Sequence, residues 1–304
     1  MKLKILPLLI LTLPLLGKTQ THDWWADNVN WDGVSHWSEY ITTSPRFLGP
    51  NALPIPEQNN GLLPKEHQLS ITGNAHFMEG DQTSSMALAL DLVLVPRVVS
   101  FNVFWVPFEI FDMSHELKTE RSIFHTFYNS SVASGDVQLR TNIQILEQAQ
   151  HRIDLRMRIG FRFANSNHMG AARFTDAPGY FFDGGFGKEY ELGNWKLRPS
   201  LMGGFYVWQT NLDDRFQNDA LLAGVALDLE RGNTHFSSSL RGYFGYIDNG
   251  DKPMTLDFQV RQKLDGLSVF ISGSYGVWDN LYDRIGLGLT FIIPTKIMPG
   301  RTPR

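Results

Sequence analysis

The most regular feature of the chain is an alternation of apolar with polar or small side chains, which runs from about residue 67 to residue 295. A period of two is typical of β-strands, because successive side chains point to opposite faces. Residues 151–164 show it most clearly. There, six large apolar side chains occupy the odd positions, and four arginines, Asp154 and Gly160 occupy the even ones.

The pattern predicts twelve strands of roughly ten to fifteen residues. They are expected at about 67–78, 84–95, 98–108, 135–147, 151–164, 178–190, 195–208, 217–231, 234–248, 252–264, 267–278 and 281–293.

The connections agree with these faces. Side chains alternate between the two faces of a strand, so the polar side chains of neighbouring strands share a face only if the tight loop between the strands has the right length. Whether that length is even or odd follows from which positions are polar in each strand. Two-residue turns fit at Pro96-Arg97, Gly193-Asn194, Gly232-Asn233 and Asp265-Gly266, and a three-residue loop fits at Gln148-Ala149-Gln150. The remaining connections, including residues 109–134 and 165–177, are more variable and often longer. Such asymmetry is typical of transmembrane barrels, which have short turns on the periplasmic side.

The prediction is therefore an all-β protein, a closed antiparallel up-and-down transmembrane β-barrel of about 12 strands, with both ends periplasmic. A soluble β-sandwich or barrel explains the alternation equally well. It does not explain the aromatic side chains expected at the outer rim, which are typical of a membrane interface. These are Trp105, Phe161, Phe163, Tyr180, Phe205, Trp208, Phe244, Tyr246, Tyr275, Trp278 and Tyr282.

Residues 1–19 have the features of a signal peptide. Lys2 and Lys4 precede the apolar stretch Ile5–Leu16, and small residues precede a cleavage point before Gln20. Twelve apolar residues interrupted by prolines are too few for a membrane-spanning helix, which needs about 20. The mature protein is expected to be exported and integral to the outer membrane.

Residues 20–66 show neither the helical nor the strand periodicity. They are rich in tryptophan and proline, which predicts an irregular extended arm. Three interpretations stay open: the arm plugs the barrel, contacts a periplasmic or envelope protein, or is only a leader. Exposed tryptophans are costly in water, so burial is favoured. The candidate plug or partner contacts are Trp24, Trp25, Trp31 and Trp37. The barrel is expected at 67–295, followed by a tail at 296–304.

Composition narrows the function. The chain has 304 residues, a formal net charge of −4 and no cysteine, which excludes disulfides, cysteine metal sites and a thiol nucleophile. A near-neutral charge argues against a nucleic-acid partner.

Charged side chains on the strands are expected inside the barrel, because charge on the lipid face is costly. Either they form a paired network that fills the lumen, or the arginines make a strip that favours anionic solutes. The predicted lumen residues are Arg140, Arg152, Asp154, Arg156, Arg158, Arg162, Arg198, Arg241, Asp257 and Arg261.

The last strand resembles the terminal strand of Gram-negative outer-membrane barrels, which has the form polar-x-Gly-x-x-apolar-x-aromatic. Residues Arg284 to Phe291 fit this form, although here a tail follows the aromatic residue. The resemblance covers about residues 67–293 and implies recognition by the barrel assembly machinery and contact with membrane lipids. Gln20 and the tail are similar to the Bacteroidetes version of such proteins.

No catalytic constellation stands out. None of the nine histidines has the context of the Ser–His pairs of outer-membrane lipid hydrolases, and Asp213-Asp214 shows no EF-hand spacing. We therefore expect no enzyme activity, no cofactor and no metal. Two functional classes remain, a gated or plugged pore for small solutes and a non-conducting structural or accessory subunit of an envelope complex. An outer-membrane lipid hydrolase is the third and weakest hypothesis.

Overall fold

The computed structural model of the chain describes residues 20–124, 130–208 and 217–294. The predicted signal peptide and the tail after residue 295 lie outside these ranges. The strands are β1 His67–Met78, β2 Asp81–Val95, β3 Val99–Met113, β4 Ser130–Ala133, β5 Gln138–Leu146, β6 Asp154–Arg162, β7 Gly179–Gly187, β8 Tyr190–Leu192, β9 Trp195–Trp208, β10 Gln217–Arg231, β11 Thr234–Phe244, β12 Met254–Leu264, β13 Leu267–Trp278 and β14 Asp283–Ile293.

Twelve of these strands form one closed antiparallel barrel. Consecutive strands pair with one another, and β1 closes the ring by pairing with β14 from His67 opposite Ile293 to Phe77 opposite Asp283. The short strands β4 and β8 extend only β3 and β9. The predicted fold class and strand number are confirmed, because an uninterrupted alternation locates strands well.

The two ends of the barrel differ. One end, called the tight-turn end below, carries the connections 96–98, 147–153, 232–233 and 265–266. The first and last residues of the barrel, His67 and Ile293, lie at the same end. The opposite long-loop end carries the longer connections, such as 163–178 and 245–253. That the tight-turn end is periplasmic stays a prediction.

Two turns differ from expectation. Gln148-Ala149-Gln150 is not a three-residue loop, because residues Gln148–His151 form a short helix and the neighbouring strands end earlier. Gly193-Asn194 is a tight turn, but it joins β8 to β9 outside the main ladder. In both places a local turn replaces the last residues of a strand that the alternation alone had extended.

The faces of the strands are strongly segregated. On β14, Ile285 and Leu287 are 58% and 64% exposed, while Gly286 and Thr290 face inward and are buried. An apolar outer face suits lipid tails, and a polar lumen keeps charges out of them. Most predicted rim aromatics are exposed, but Trp208 and Tyr282 are 1% and 4% exposed and belong to the interior. For these two the rim prediction is wrong.

The arm is less irregular than predicted. It begins with the helix α1 (Gln20–Val29) and contains two 3-10 turns, Trp37–Tyr40 and Pro45–Phe47. Another helix, α2 (His115–Glu120), follows β3 at the long-loop end. Within the described part of the chain, no helix has the length and apolar character needed to cross a membrane.

The buried core lies toward the long-loop end. It joins arm residues such as Ile41 and Leu53 to inward side chains of the strands such as Tyr206 and Tyr243, and to the loop residue Phe174. The arm is thus an integral part of the folded barrel.

Candidate functional site: the barrel lumen

The arm crosses the lumen as an extended segment, residues 49–62. Near the long-loop end, the Asn51 side chain donates to Glu109 of β3 (2.5 Å). Near the tight-turn end, the Gly61 carbonyl accepts from Gln144 of β5 (2.8 Å). The chain therefore passes through the barrel once before it turns back into β1.

Four arginines on the strands are each neutralised by a carboxylate. These paired arginines and their carboxylates are Arg158 with Asp183 (2.8 Å), Arg162 with Asp136 (3.0 Å), Arg198 with Asp154 (2.5 Å) and Arg241 with Asp257 (2.8 Å). The first three pairs have side chains that are less than 10% exposed. Burial of a charge is tolerated when it is paired and hydrogen-bonded.

Each paired arginine also donates to at least one main-chain carbonyl of the arm. The carbonyl acceptors are Glu57 for Arg158 (2.7 Å), Ala52 for Arg162 (2.8 Å), Asn60 for Arg198 (3.2 Å), and Ile55 and Pro56 for Arg241 (2.7 and 2.8 Å). Arg156, which lacks a carboxylate within salt-bridge distance among the described residues, donates to the Leu62 carbonyl. Prolines at 54 and 56 have no N–H to satisfy, so the arm offers mainly acceptors to a lumen rich in donors.

Asn59 of the arm is fully buried. Its amide nitrogen donates to Asp183 (2.7 Å) and to the Arg156 carbonyl (3.0 Å), and its oxygen accepts from the Arg156 side chain (2.8 Å). A Cβ atom at Gly185 would lie 2.2 Å from the Asn59 side chain. Because Gly185 has no side chain, the arm can pack directly against β7 at this position.

The arm leaves one side of the lumen open. A cavity of about 510 Å³ lies between it and inward side chains of β10 to β14, β1 to β3, β5 and β6. Hydroxyl groups dominate this cavity wall, including those of Ser70, Thr72, Ser239, Ser272 and Ser274. The wall is buried toward the long-loop end, at Asn74 and His76, and half-exposed toward the tight-turn end, at Gln68.

Four of the arginines that line this cavity have no carboxylate of their own on the strands, namely Arg156, described above, and three more. Arg261 bonds to the neutral side chains of Gln259 and Thr290. Arg284 lies 3.6 Å from Asp257, which already pairs with Arg241. Arg140 donates to the neutral side chain of Gln138 (3.1 Å), and its carboxylate partner among the described residues is Glu57 of the arm, at 3.4 Å. These three are called the cavity arginines below.

A buried ion network closes the long-loop end. Arg173, in the loop before β7, contacts Asp81 (2.5 Å) and Glu109 (2.7 Å), and all three side chains are 0% exposed. Arg121 lies 3.6 Å from Asp81, and the Tyr282 hydroxyl donates to the same carboxylate (2.5 Å). Burial raises the pKa of the Tyr282 phenol to about 12, against the opposing effect of Arg121 and Arg173, so it remains a donor. The two arginines balance the two carboxylates.

The tryptophans lie at this same end, against the segment that follows β3. The Trp25 indole donates to the Ser122 carbonyl (3.0 Å), and Trp37 stacks on Phe124 with ring centroids 5.5 Å apart. Trp24 contacts His115, and Trp31 packs on Trp25. The segment inside the lumen is residues 49–62, which come after all four. A partner contact through the tryptophans stays a prediction.

Nine of the ten predicted lumen residues line the interior, and Arg152 does not. It ends the helical turn Gln148–His151 with φ 68° and is exposed at the tight-turn end. Sequence reasoning also missed Arg284, although it shares the inward parity of Gly286 and Gly288. Glu57 and Arg173 carry no periodic signal, because they lie in the arm and in a loop.

Among the described residues, no group of three or more His, Asp or Glu side chains converges in the way a metal site requires.

No protein-family model and no curated protein sequence matches the chain. Solved structures do match. An outer-membrane channel from Pseudomonas putida F1 has a TM-score of 0.56 at 9% identity, covering 79% of this chain and 100% of that one. The transport unit of the autotransporter AIDA-I from Escherichia coli has a TM-score of 0.45 at 9% identity, covering 81% and 95%. The KdgM porin has a TM-score of 0.44 at 8% identity, covering 74% and 99%.

At such low identity the similarity shows the fold alone, and only the first of the three is strong enough to use. Together with the apolar outer face and the closed ladder, it shows that the chain has the fold of integral outer-membrane β-barrels.

Proposed function

We propose that this chain is an outer-membrane pore for small anionic solutes, and that its own N-terminal arm holds it closed. The observation that carries the proposal is the division of the lumen. Residues 49–62 fill one side through five hydrogen bonds from the paired arginines to main-chain carbonyls, and a polar cavity of about 510 Å³ remains beside them.

Such bonds suit a gate better than a permanent core. A net hydrogen bond that involves a charged group stabilises by about 1.5–3 kcal/mol, so the arm is held firmly by several together. The arginines remain paired with their carboxylates when the arm leaves, which limits the cost of opening. The P. putida F1 protein of the same fold is described as a channel, and this supports a pore here.

The preference for anions follows from the charges along the cavity. Its lining includes six arginines against four carboxylates, Glu57, Asp91, Asp228 and Asp257. Like-charged rings of arginine favour anions in pores. The excess lies with Arg156 and the cavity arginines, because the other arginines are paired.

The test is conductance of the mature chain in planar lipid bilayers, compared with a chain that lacks residues 20–62. We expect the mature chain to be almost silent and the shortened chain to give stepwise currents. In a salt gradient, the reversal potential of the shortened chain should show anion selectivity. A second variant, in which a Gly/Ser segment of equal length replaces residues 51–62, keeps the test valid if the deletion does not fold.

Heat-dependent migration in detergent gels would establish that each variant is a folded barrel. A folded, arm-free barrel without conductance would overturn the pore and favour the structural or accessory role. The sealed long-loop end, with its buried network around Asp81, is the observation that supports this alternative. Cation selectivity would overturn the preference for anions alone.

A further inference from the structure

The cavity arginines have unused hydrogen-bonding capacity. The Nε atoms of Arg140 and Arg284 are buried and have no hydrogen-bond partner among the described residues. Both face the cavity, as does Arg261. The Nε of Arg158 and of Arg241 each donate to a carboxylate at 2.8 Å. Arg162 also has two nitrogens without a partner among the described residues, but it does not line the cavity. Buried donors without an acceptor, in side chains that line a polar cavity, are a feature of ligand sites.

Glu57 reaches this group from the arm. It is the only acidic residue between Glu39 and Glu66, and its carboxylate lies 3.4 Å from Arg140. It is also within electrostatic range of Arg261 and Arg284. Glu57 therefore acts on all three cavity arginines, whereas Asp257 acts on Arg284 and Asp91 acts on Arg140 and Arg261.

Glu57 differs from the structural carboxylates of the lumen. Its side chain is 63% exposed to the cavity, whereas those of Asp183 and Asp136 are 0% and 2% exposed. Its main chain is fixed by Arg158, but within the described part of the chain its carboxylate has one ion-pair contact, with Arg140. A carboxylate held so loosely among arginines can be replaced by a similar group from solution.

We propose that the cavity arginines form a binding site for a small carboxylate, and that Glu57 occupies it as a tethered counter-anion while the arm is in the lumen. The planar guanidinium presents paired donors that match the two oxygens of a carboxylate. Nearby hydroxyls such as those of Ser272 and Ser274 line the same cavity and suit polar substituents of the ligand. The inference rests on the proposed function only in naming this anion as the solute that passes.

The test removes the tethered carboxylate and supplies one from solution. The purified mature chain with Glu57→Ala is heated in detergent at neutral pH with increasing sodium acetate, and with sodium chloride at equal ionic strength. We expect a saturable rise of the unfolding midpoint with acetate, beyond that with chloride. The wild-type chain should show no such excess, because Glu57 is in place. Gln58→Ala, which shortens the neighbouring neutral side chain, is the matched control and should behave like wild type.

The arginines should determine this effect. In the Glu57→Ala background, Arg284→Gln or Arg140→Gln should weaken the apparent acetate affinity about tenfold. If Glu57→Ala does not fold, Glu57→Ser gives the same test. The proposal is overturned if the Glu57 variants show no acetate-specific rise, or if wild type shows the same rise.

This readout does not depend on conductance. A barrel that binds acetate but passes no current would contradict the pore and leave the site standing. A conducting barrel without the acetate effect would contradict the carboxylate site and leave the pore standing.

Discussion

The lumen holds two sets of arginines that look alike in the sequence and differ in their surroundings. The paired arginines, Arg158, Arg162, Arg198 and Arg241, each have a carboxylate within about 3 Å and also donate to main-chain carbonyls of the arm. The cavity arginines, Arg140, Arg261 and Arg284, share Glu57 and one already engaged aspartate.

The difference lies in what each set can hold. A neutral pair keeps directional N–H donors but produces little field, so it suits the uncharged carbonyls of an extended chain. An arginine without its own carboxylate produces a field that attracts an anion. The number of carboxylates around an arginine, and not the arginine itself, separates structure from candidate function in this barrel.

The largest effect should come from breaking a paired arginine. Asp183→Asn leaves the Arg158 guanidinium, whose side chain is 4% exposed, without its counter-charge, and replaces one of the two oxygens that accept from Arg158 and Asn59. We expect a loss of about 3–5 kcal/mol in the free energy of unfolding, measured by denaturant titration in detergent or lipid. Asp248→Asn, which breaks the exposed pair with Lys252, should cost less than about 1 kcal/mol. Equal losses would remove the distinction between buried pairs and surface pairs.

A smaller effect is expected from crowding the arm. Gly185→Ala places a methyl group where Asn59 lies, with 2.3 Å to the Asn59 carbonyl oxygen, so the arm must shift. Overpacking of this kind costs about 1–3 kcal/mol. Gly203→Ala on the adjacent strand is the control, because a Cβ there meets nothing within 4 Å. Protease cleavage of the arm, followed with the unfolding curve, should increase only in Gly185→Ala.

The smallest effect compares single hydroxyl groups. Tyr243→Phe removes the bond to the Leu53 carbonyl (3.0 Å) and should cost about 0.5–1.5 kcal/mol of unfolding free energy. Ser239→Ala on the cavity wall should change it by less than about 0.5 kcal/mol. If the serine proves as costly as the tyrosine, the cavity wall is a packed structural surface.

The barrel could be predicted from the sequence because alternation states directly which side chains face lipid. The observed bounds of β1, β9, β10 and β13 are the predicted ones. The same alternation misplaced Arg152, because it continued through residues that form a helical turn. Periodicity cannot show where a turn replaces the residues at the end of a strand.

The contents of the lumen were not predictable in the same way. Arg198 and Asp154 lie on strands that are not neighbours in the ladder, so register alone does not join them. The arm has no period, and its contacts are made through main-chain carbonyls that every residue possesses. Its proline-rich composition indicated an extended chain, but neither its path nor the role of Glu57 follows from that.

The path of the arm is best tested by a cysteine cross-link. The chain has no cysteine, and a Cβ at Gly224 of β10 would lie 2.3 Å from Oε1 at the end of the Gln58 side chain. Because cysteine is shorter than glutamine, the two thiols of Gln58→Cys with Gly224→Cys lie farther apart than this contact. A short bifunctional thiol reagent should join them in the folded barrel in lipid. The thiols of Gln58→Cys with Ser272→Cys, on β13 across the cavity, should not be joined. We predict nearly complete cross-linking in the first pair and almost none in the second; no cross-link in the first, or equal cross-linking in both, would contradict an arm held along one side of the lumen.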